Sequence, residues 1–222
     1  MRIRISSYQK PPTNFIMNSN LIRSTFTSLA IFLWVIAPGN AEPFDAPKNA
    51  LEATILELID VLHADDSELS VTAKRQQIIE ILNKDFSFDI IIQRALGRNW
   101  NKLDEKQKEQ VSLLVTDLVL KTYTRELNNG PKPTLKFGKA KALTESKSKI
   151  EIASKVLLNG NEVNLSYRLA NIKDRGWQVY DVLVEGVSMV SNYRKQFDEH
   201  FQRKSAADLI DLLKNKLKEV RS

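Results

Sequence analysis

At Asn129-Gly130-Pro131 the chain changes its hydrophobic period, and this change limits the possible folds more than any other feature. Before it, apolar residues recur every three or four positions, the spacing of amphipathic helices. After it they tend to alternate with polar ones, the spacing of strands with one dry and one wet face. Helices followed by strands, rather than interleaved with them, point to an α+β domain in which the sheet is antiparallel.

Several elements can be placed by their local chemistry. Leu51, Ile55, Leu58, Ile59 and Leu62 form one helical face after Asn49, and His63–Val71 reads as a polar connector. A second helix is expected over Thr72–Lys84, with Ile78, Ile79 and Leu82 inward. Phe86 and Phe88 precede Asp89, the expected N-cap of a short helix Ile90–Leu96 that Gly97 can end. Asp104 and Gln107 approximate a capping box for a long helix reaching about Asn128, whose apolar residues predict burial on most sides. Strand-like runs follow at Thr134–Phe137, Ala140–Thr144, Lys149–Leu157, Val163–Ala170 and Trp177–Val184. Asn159-Gly160 and Lys173-Asp174-Arg175-Gly176 are the turn signals between the last three runs. The final run is apolar on both faces and is expected to be central. Gly186 breaks it, a helix follows through Phe197, and Ser205 with Asp208 caps a last amphipathic helix carrying Leu209, Ile210, Leu213, Leu217 and Val220.

The first 41 residues read as a secretory signal peptide. They hold Arg2, Arg4, Lys10 and Arg23 and no acid, then the apolar run Leu29–Ala37, then Gly39 and Ala41 as small residues at a cleavage site. Nine apolar residues fall far short of the ~20 that span a bilayer. Met17–Ala41 alone has the length of a leader, so Met17 is an alternative start. The remaining chain, Glu42–Ser222, is expected to be a single domain and keeps 29 basic and 27 acidic residues, against 33 and 27 in the whole chain. The basic excess thus lies largely in the leader, and no basic patch of the nucleic-acid-binding kind remains. With no cysteine there is no disulfide framework, thiolate metal site or thiol nucleophile, so an exported domain must rest on its packed core.

The catalytic inventory is almost empty. His63 and His200 sit alone near helix ends, so neither a metal site nor a cofactor is expected. Asp65-Asp66-Ser67-Glu68 lacks the ligand alternation and central glycine of a calcium loop and reads as solvated. Glycines are never closer than eight residues, which excludes phosphate-binding glycine loops. Gly186-Val187-Ser188-Met189-Val190 has valine where a nucleophile elbow needs glycine, and Ser188 reads as a helix N-cap. Asp181 and Glu185, four apart on the last strand, are the one carboxylate pair available to a small cone-like enzyme.

Large apolar groups are plentiful instead. Most of them are first read as plain core. An exported, motif-poor α+β domain with such a surplus is nevertheless able to enclose a lipid. The segment Trp177–Phe197 (WQVYDVLVEGVSMVSNYRKQF) resembles the signature of the MlaC family, also called the toluene-tolerance auxiliary family. Ala95-Leu96-Gly97-Arg98-Asn99-Trp100 resembles that family's mid-chain motif, and Leu118–Arg125 its long helix; the similarity covers most of Phe44–Lys218.

The resemblance implies N-terminal helices, a curved antiparallel sheet of about five strands and two C-terminal helices enclosing an apolar cavity. It implies a non-enzymatic periplasmic phospholipid carrier that maintains outer-membrane lipid asymmetry. Its partners would be a two-chain phospholipid, an inner-membrane ABC transporter complex with a lipid-binding periplasmic subunit, and an outer-membrane lipoprotein–porin complex. The chain is expected to act as a monomer without nucleic acid. A hopanoid-associated branch of similar proteins leaves another lipid as the alternative cargo. Expected lining positions are Ile152, Val156, Tyr167, Leu169, Val182, Val184, Val187, Val190 and Tyr193, with Phe88, Trp100, Leu118 and Tyr123 on the helical wall. Arg98 is the head-group candidate, with a salt bridge at the helix end as its plainer role.

Overall fold

The structure, a computed structural model, describes residues 43–64, 71–128 and 130–219. The expected leader, the acidic stretch Asp65–Glu68, the turn residue Asn129 and Val220 lie outside the described residues. The elements follow the order that the period change requires. First come α1 (Asp45–His63), α2 (Val71–Leu82), α3 (Phe88–Leu96), a 3-10 turn over Gly97–Lys102 and α4 (Glu105–Asn128). Then come β1 (Thr134–Ala142), β2 (Lys149–Leu158), β3 (Asn161–Ile172), β4 (Gly176–Val184) and β5 (Val187–Ser188), and finally α5 (Met189–His200) and α6 (Ala206–Glu219). The fold is α+β, with one open antiparallel sheet in the order β1-β2-β3-β4-β5.

Local chemistry sets most boundaries as expected. Asp104 and Gln107 close a reciprocal capping box, with the Gln107 N–H donating to Asp104 Oδ1 at 2.8 Å and the Asp104 N–H to Gln107 Oε1 at 3.1 Å. Ser205 and Asp208 do the same for α6 at 2.8 and 3.2 Å. Asn159 and Gly160 both take positive φ, 50° and 80°, which suits a tight two-residue hairpin between β2 and β3. Gly97 ends α3 at φ 55°, and a Cβ there would stand 3.3 Å from Arg194 Nε.

Five expectations are corrected. The runs Thr134–Phe137 and Ala140–Thr144 form one strand, β1, because the register shift between Phe137 and Ala140 is absorbed as a bulge. The fifth strand is the two-residue β5, which sits between Gly186 and α5. Ser87, not Asp89, stands at the N-cap of α3; Asp89 instead pairs with Arg175 at 2.9 Å, across 86 residues of sequence. The long helix α4 is less buried than its apolar content predicts. Val111, Val115 and Leu120 are buried, but Leu114, Leu118 and Val119 are half-buried and Leu113 is 58% exposed.

The fifth correction concerns β4, which is covered on both faces but lies fourth of five. Its free edge is sealed in two places. Near its start the Val179 N–H donates to Asp85 O at 2.6 Å and the Ser87 N–H to Val179 O at 3.3 Å. Near its end β5 pairs with Leu183 and Val184. Among the described residues nothing pairs with the far side of β1. Its bulge and its Lys136 and Lys141 discourage a further strand there.

The core is divided. One cluster joins Ile92, Ala95 and Leu96 of α3 to Val111 and Val115 of α4, Val190 and Phe197 of α5 and the apolar face of α6. A second joins Leu51, Ile55 and Ile59 of α1 to the sheet at Ile150, Ile152, Tyr167, Leu169 and Val179. A third lies between α1, α2 and the end of α4. Phe86 is shared by the second and third clusters and Phe88 by the first and third; they stack at 6.3 Å.

Asp181 ties the sheet to α5. Its carboxylate accepts from Ser188 Oγ at 2.7 Å and from the Val190 N–H at 3.1 Å, and Arg168 stands 3.7 Å away. Ser188 Oγ in turn accepts from the Ser191 N–H at 3.0 Å, so the helix N-terminus has a side-chain cap backed by a buried acid. Replacing Asp181 with alanine leaves these donors and Arg168 without their acceptor. The expected loss in urea unfolding is about 1–3 kcal/mol, with Asp181→Asn losing less; an unchanged midpoint for Asp181→Ala contradicts the assignment.

Candidate functional site

The expected lining residues separate into two groups. Ile152, Tyr167, Leu169 and Val182 belong to the sheet cluster beneath α1, and Val156 is buried on the same face. Phe88, Trp100, Leu118, Val190 and Tyr193 belong to the helical cluster. No residue is shared between these two clusters. Val184 is half-buried beside β5, while Val187 is 59% exposed on the far side of the turn. Tyr123 stands at the surface of α4 with its hydroxyl 3.5 Å from Met189 Sδ.

The apolar face of the sheet is unevenly covered: its inward positions on β2 are all buried, and several on the strands beside it are not. Cross-strand register places Leu169 opposite Ile150 and Val179, and Tyr167 opposite Ile152 and Val182. Leu165 lies opposite Ser154 and Val184, and Val163 opposite Val156. Alternation along each strand puts all of them on one face. Ile150, Ile152, Leu169 and Val179 are sealed under α1, whereas Leu135, Phe137, Val163, Leu165, Val182 and Val184 are only half-buried. The half-buried end leads through β5 into Met189 and Tyr193 at the start of α5, where Tyr123 of α4 meets Met189. An incompletely covered apolar band therefore runs from the sheet end to α5 and the half-buried side of α4. Leu165, Phe137 and Met189 belong to it although no sequence expectation named them as lining residues. The alternation of β3 contained the signal for Leu165; that for Phe137 depends on its 6.0 Å stacking with Tyr167 across the sheet.

Two clefts among the described residues lie mostly apart from the band, the second of them bordered by its Phe137. One, of about 510 Å³, is lined by Asn83, Lys84, Phe86, Ser87, Phe88, Asp89, Arg175 and Gln178. Its polar groups are already engaged with each other: Ser87 Oγ donates to Gln178 Oε1 at 3.0 Å, and Gln178 Nε2 donates to Lys84 O at 3.1 Å. The other, of about 350 Å³, lies between Pro43–Lys48 and the β1 bulge. Of the expected lining residues, only Phe88 borders either.

Arg98 projects into solvent with 82% of its side chain exposed, and its Nε is 3.7 Å from Asp198 Oδ1. Asn99 Nδ2 donates to the same oxygen at 2.7 Å. Arg194 Nε donates to Arg94 O at 2.9 Å beside Gly97. The two motif segments, 95–100 and 177–197, thus pack on each other, with Arg98 on the outer side of the joint.

The carboxylate pair does not assemble. Asp181 points to Arg168, Ser188 and α5, whereas Glu185 has left the strand at φ 49° and accepts from the Asn164 N–H at 2.7 Å. That backbone hydrogen bond, joined by the Asn164 side chain, holds the Glu185 carboxyl below its ordinary range, which makes it a weaker base. His63 and His200 end α1 and α5 and bond to backbone carbonyls, Leu127 O and Ser205 O, at 3.0 Å each. Among the described residues no three His, Asp or Glu side chains gather as metal ligands. No helix among them is long and apolar enough to cross a membrane.

Comparison with known proteins gives consistent results. The family model described as MlaC protein matches residues 52–215. Among solved structures, the phospholipid-binding protein from Ralstonia solanacearum in complex with a phospholipid matches with a TM-score of 0.69 at 21% identity, covering 78% of this chain and 98% of that one. At that identity the likeness establishes the shared fold. No curated protein matches the chain.

Burial raises the Tyr167 phenol to about 12. Tyr123 also rises to about 12, through burial first and then its neighbour Tyr193. Both folded values lie above the ~10 of an unfolded tyrosine. Stability is therefore unaffected below pH ~10 and falls as pH rises from there toward the folded values. Alkaline titration followed by phenolate absorbance is expected to show a late component that loses amplitude in Tyr167→Phe. Ionisation of Tyr167 together with exposed tyrosines contradicts its burial.

Proposed function

The chain belongs to the MlaC family, and from that premise we propose that it carries phospholipid through the periplasm. The observation that carries this reading is the half-covered apolar band formed by β3, β4, α5 and α4. It gathers half-buried hydrophobic side chains from these elements, and it brings no activated nucleophile, metal ligand or activated acid with it. A carrier needs that surface and none of those groups.

The energetics favour such a device. Two acyl chains of about 30 methylenes, at ~0.8 kcal/mol each, cost up to ~24 kcal/mol to expose to water. Free lipid does not cross an aqueous space against that cost. A carrier lowers it by laying the chains against apolar groups already only half covered. The sheet end and the α4–α5 side belong to separate clusters, so they can part there without breaking a continuous core. The phosphate head stays in water at the rim. Arg98, on the outer side of the motif joint and paired with Asp198, is better suited to fastening α5 than to holding a head group.

The rest of the proposal follows the family. The mature domain, 42–222, is released from its leader into the periplasm and exchanges lipid as a monomer. It docks with an inner-membrane ABC transporter complex and an outer-membrane lipoprotein–porin complex, and so helps keep the outer membrane asymmetric. Catalysis has no place in the cycle. The separation of Asp181 from Glu185 and the depressed Glu185 carboxyl weigh against the one enzymatic alternative.

Native mass spectrometry of the mature chain purified from cells tests the reading. The expected spectrum shows protein with one bound phospholipid, and the mass of the guest distinguishes phospholipid from hopanoid. Val182→Asp, which puts a charge in the half-buried band beside Tyr167, is expected to lose the guest while retaining its circular dichroism spectrum. A wild type recovered without lipid, or a folded Val182→Asp that still carries it, overturns the proposal.

A further inference from the structure

The apolar face of the sheet contains one polar side chain that its pattern does not explain. Ser154 occupies an inward position on β2, between Ile152 and Val156, with Phe137 opposite on β1 and Leu165 opposite on β3. It is 3% exposed, and its Oγ is fully buried without a hydrogen-bond partner. A buried hydroxyl left in this state costs free energy that alanine would avoid.

The Tyr167 hydroxyl, on the adjacent strand one residue pair away, is close enough for Ser154 to pull its phenol down against the effect of burial, but it stands outside hydrogen-bond distance of Ser154 Oγ. It does not settle the account. Two hydroxyls bring two protons, and at most one can be used between them. The other needs an acceptor, and the side chains around it, Phe137, Ile152, Val156, Leu165 and Val182, supply none. Burial keeps the Tyr167 proton in place at any physiological pH, so the pair remains a donor.

The position of Ser154 is informative. Its cross-strand neighbours Phe137 and Leu165 are half-buried, whereas Ile152 and Val156 on either side of it along β2 are buried. An acceptor arriving with a guest would reach it between Phe137 and Leu165. The guest's charged groups do not fit there, because this face carries no cation and a buried phosphate would stay uncompensated. A neutral oxygen attached to a hydrocarbon chain does fit. We propose that Ser154, with Tyr167 beside it, donates a hydrogen bond to an acyl-ester carbonyl of the bound lipid and thereby selects ester-linked chains. This rests on the carrier reading above and adds to it a determinant of lipid class.

The test is a competition on delipidated mature protein between a diester phosphatidylethanolamine and its diether analogue, with equal chains and the same head group. Bound masses are read by native mass spectrometry. Wild type is expected to retain the diester by roughly three- to tenfold, the scale of one hydrogen bond in a buried site. Ser154→Ala is expected to load both lipids without preference and to melt no lower than wild type, while Ser154→Thr, which keeps the hydroxyl, restores the preference. A wild type that loads both lipids equally overturns the ester contact and leaves the carrier reading standing. So does a Ser154→Ala protein that keeps the preference, or one that melts markedly lower, because the hydroxyl then has a structural partner. A wild type that loads neither lipid overturns the carrier reading, and this inference with it.

Discussion

Helix α1 covers the sheet's apolar face unevenly, and the other features follow from that constraint. Leu51, Ile55 and Ile59 seal Ile150, Ile152, Leu169 and Val179 into a dry layer. Farther along the same strands, Leu165, Val182 and Val184 have no equivalent cover and remain half-exposed. A small domain rarely leaves such a band next to a filled core, since each apolar group pushed further from water contributes to stability. The band remains half-covered because α4 packs chiefly on α6 and α5 chiefly on α3, with α5 reaching the sheet at β4. The division of the core into clusters, joined mainly by Phe86 and Phe88, expresses the same arrangement.

The most distinctive sequence segments turn out to build the frame around this band more than the band itself. Ala95 and Leu96 pack with Val190 and Phe197, Arg194 reaches the carbonyl of Arg94 beside Gly97, and Asn99 bonds to Asp198. Asp181 then joins the frame to β4 through the N-terminus of α5. Beside this joint Met189 and Tyr193, at the start of α5, remain half-buried next to the band.

Much of this was legible in the sequence, and the limit has a physical basis. The capping pairs Asp104–Gln107 and Ser205–Asp208, the Ser188 cap and the Asn159-Gly160 hairpin are made by neighbours, so they could be read directly. Asp89 could not, because its partner Arg175 is brought to it only by the fold. Glu185 looked like a companion of Asp181 on a continuous strand, but the strand ends one residue earlier and turns it toward Asn164. The excess of apolar residues on α4 was visible, though periodicity alone could not tell that half of them would lack cover. The missing partner of Ser154 was out of reach altogether, since it depends on the register of three strands.

The central claim is that acyl chains lie in the half-covered band between the sheet end and the α4–α5 side. Loading the protein with a phospholipid that carries a photoreactive diazirine in its acyl chain, followed by irradiation and peptide mapping, tests this directly. The account predicts labelling concentrated on Leu118, Leu165, Val182 and Tyr193 and their immediate neighbours. Labelling confined to the cleft beside Phe86 and Arg175, or scattered over exposed residues such as Leu113 and Leu212, would contradict it.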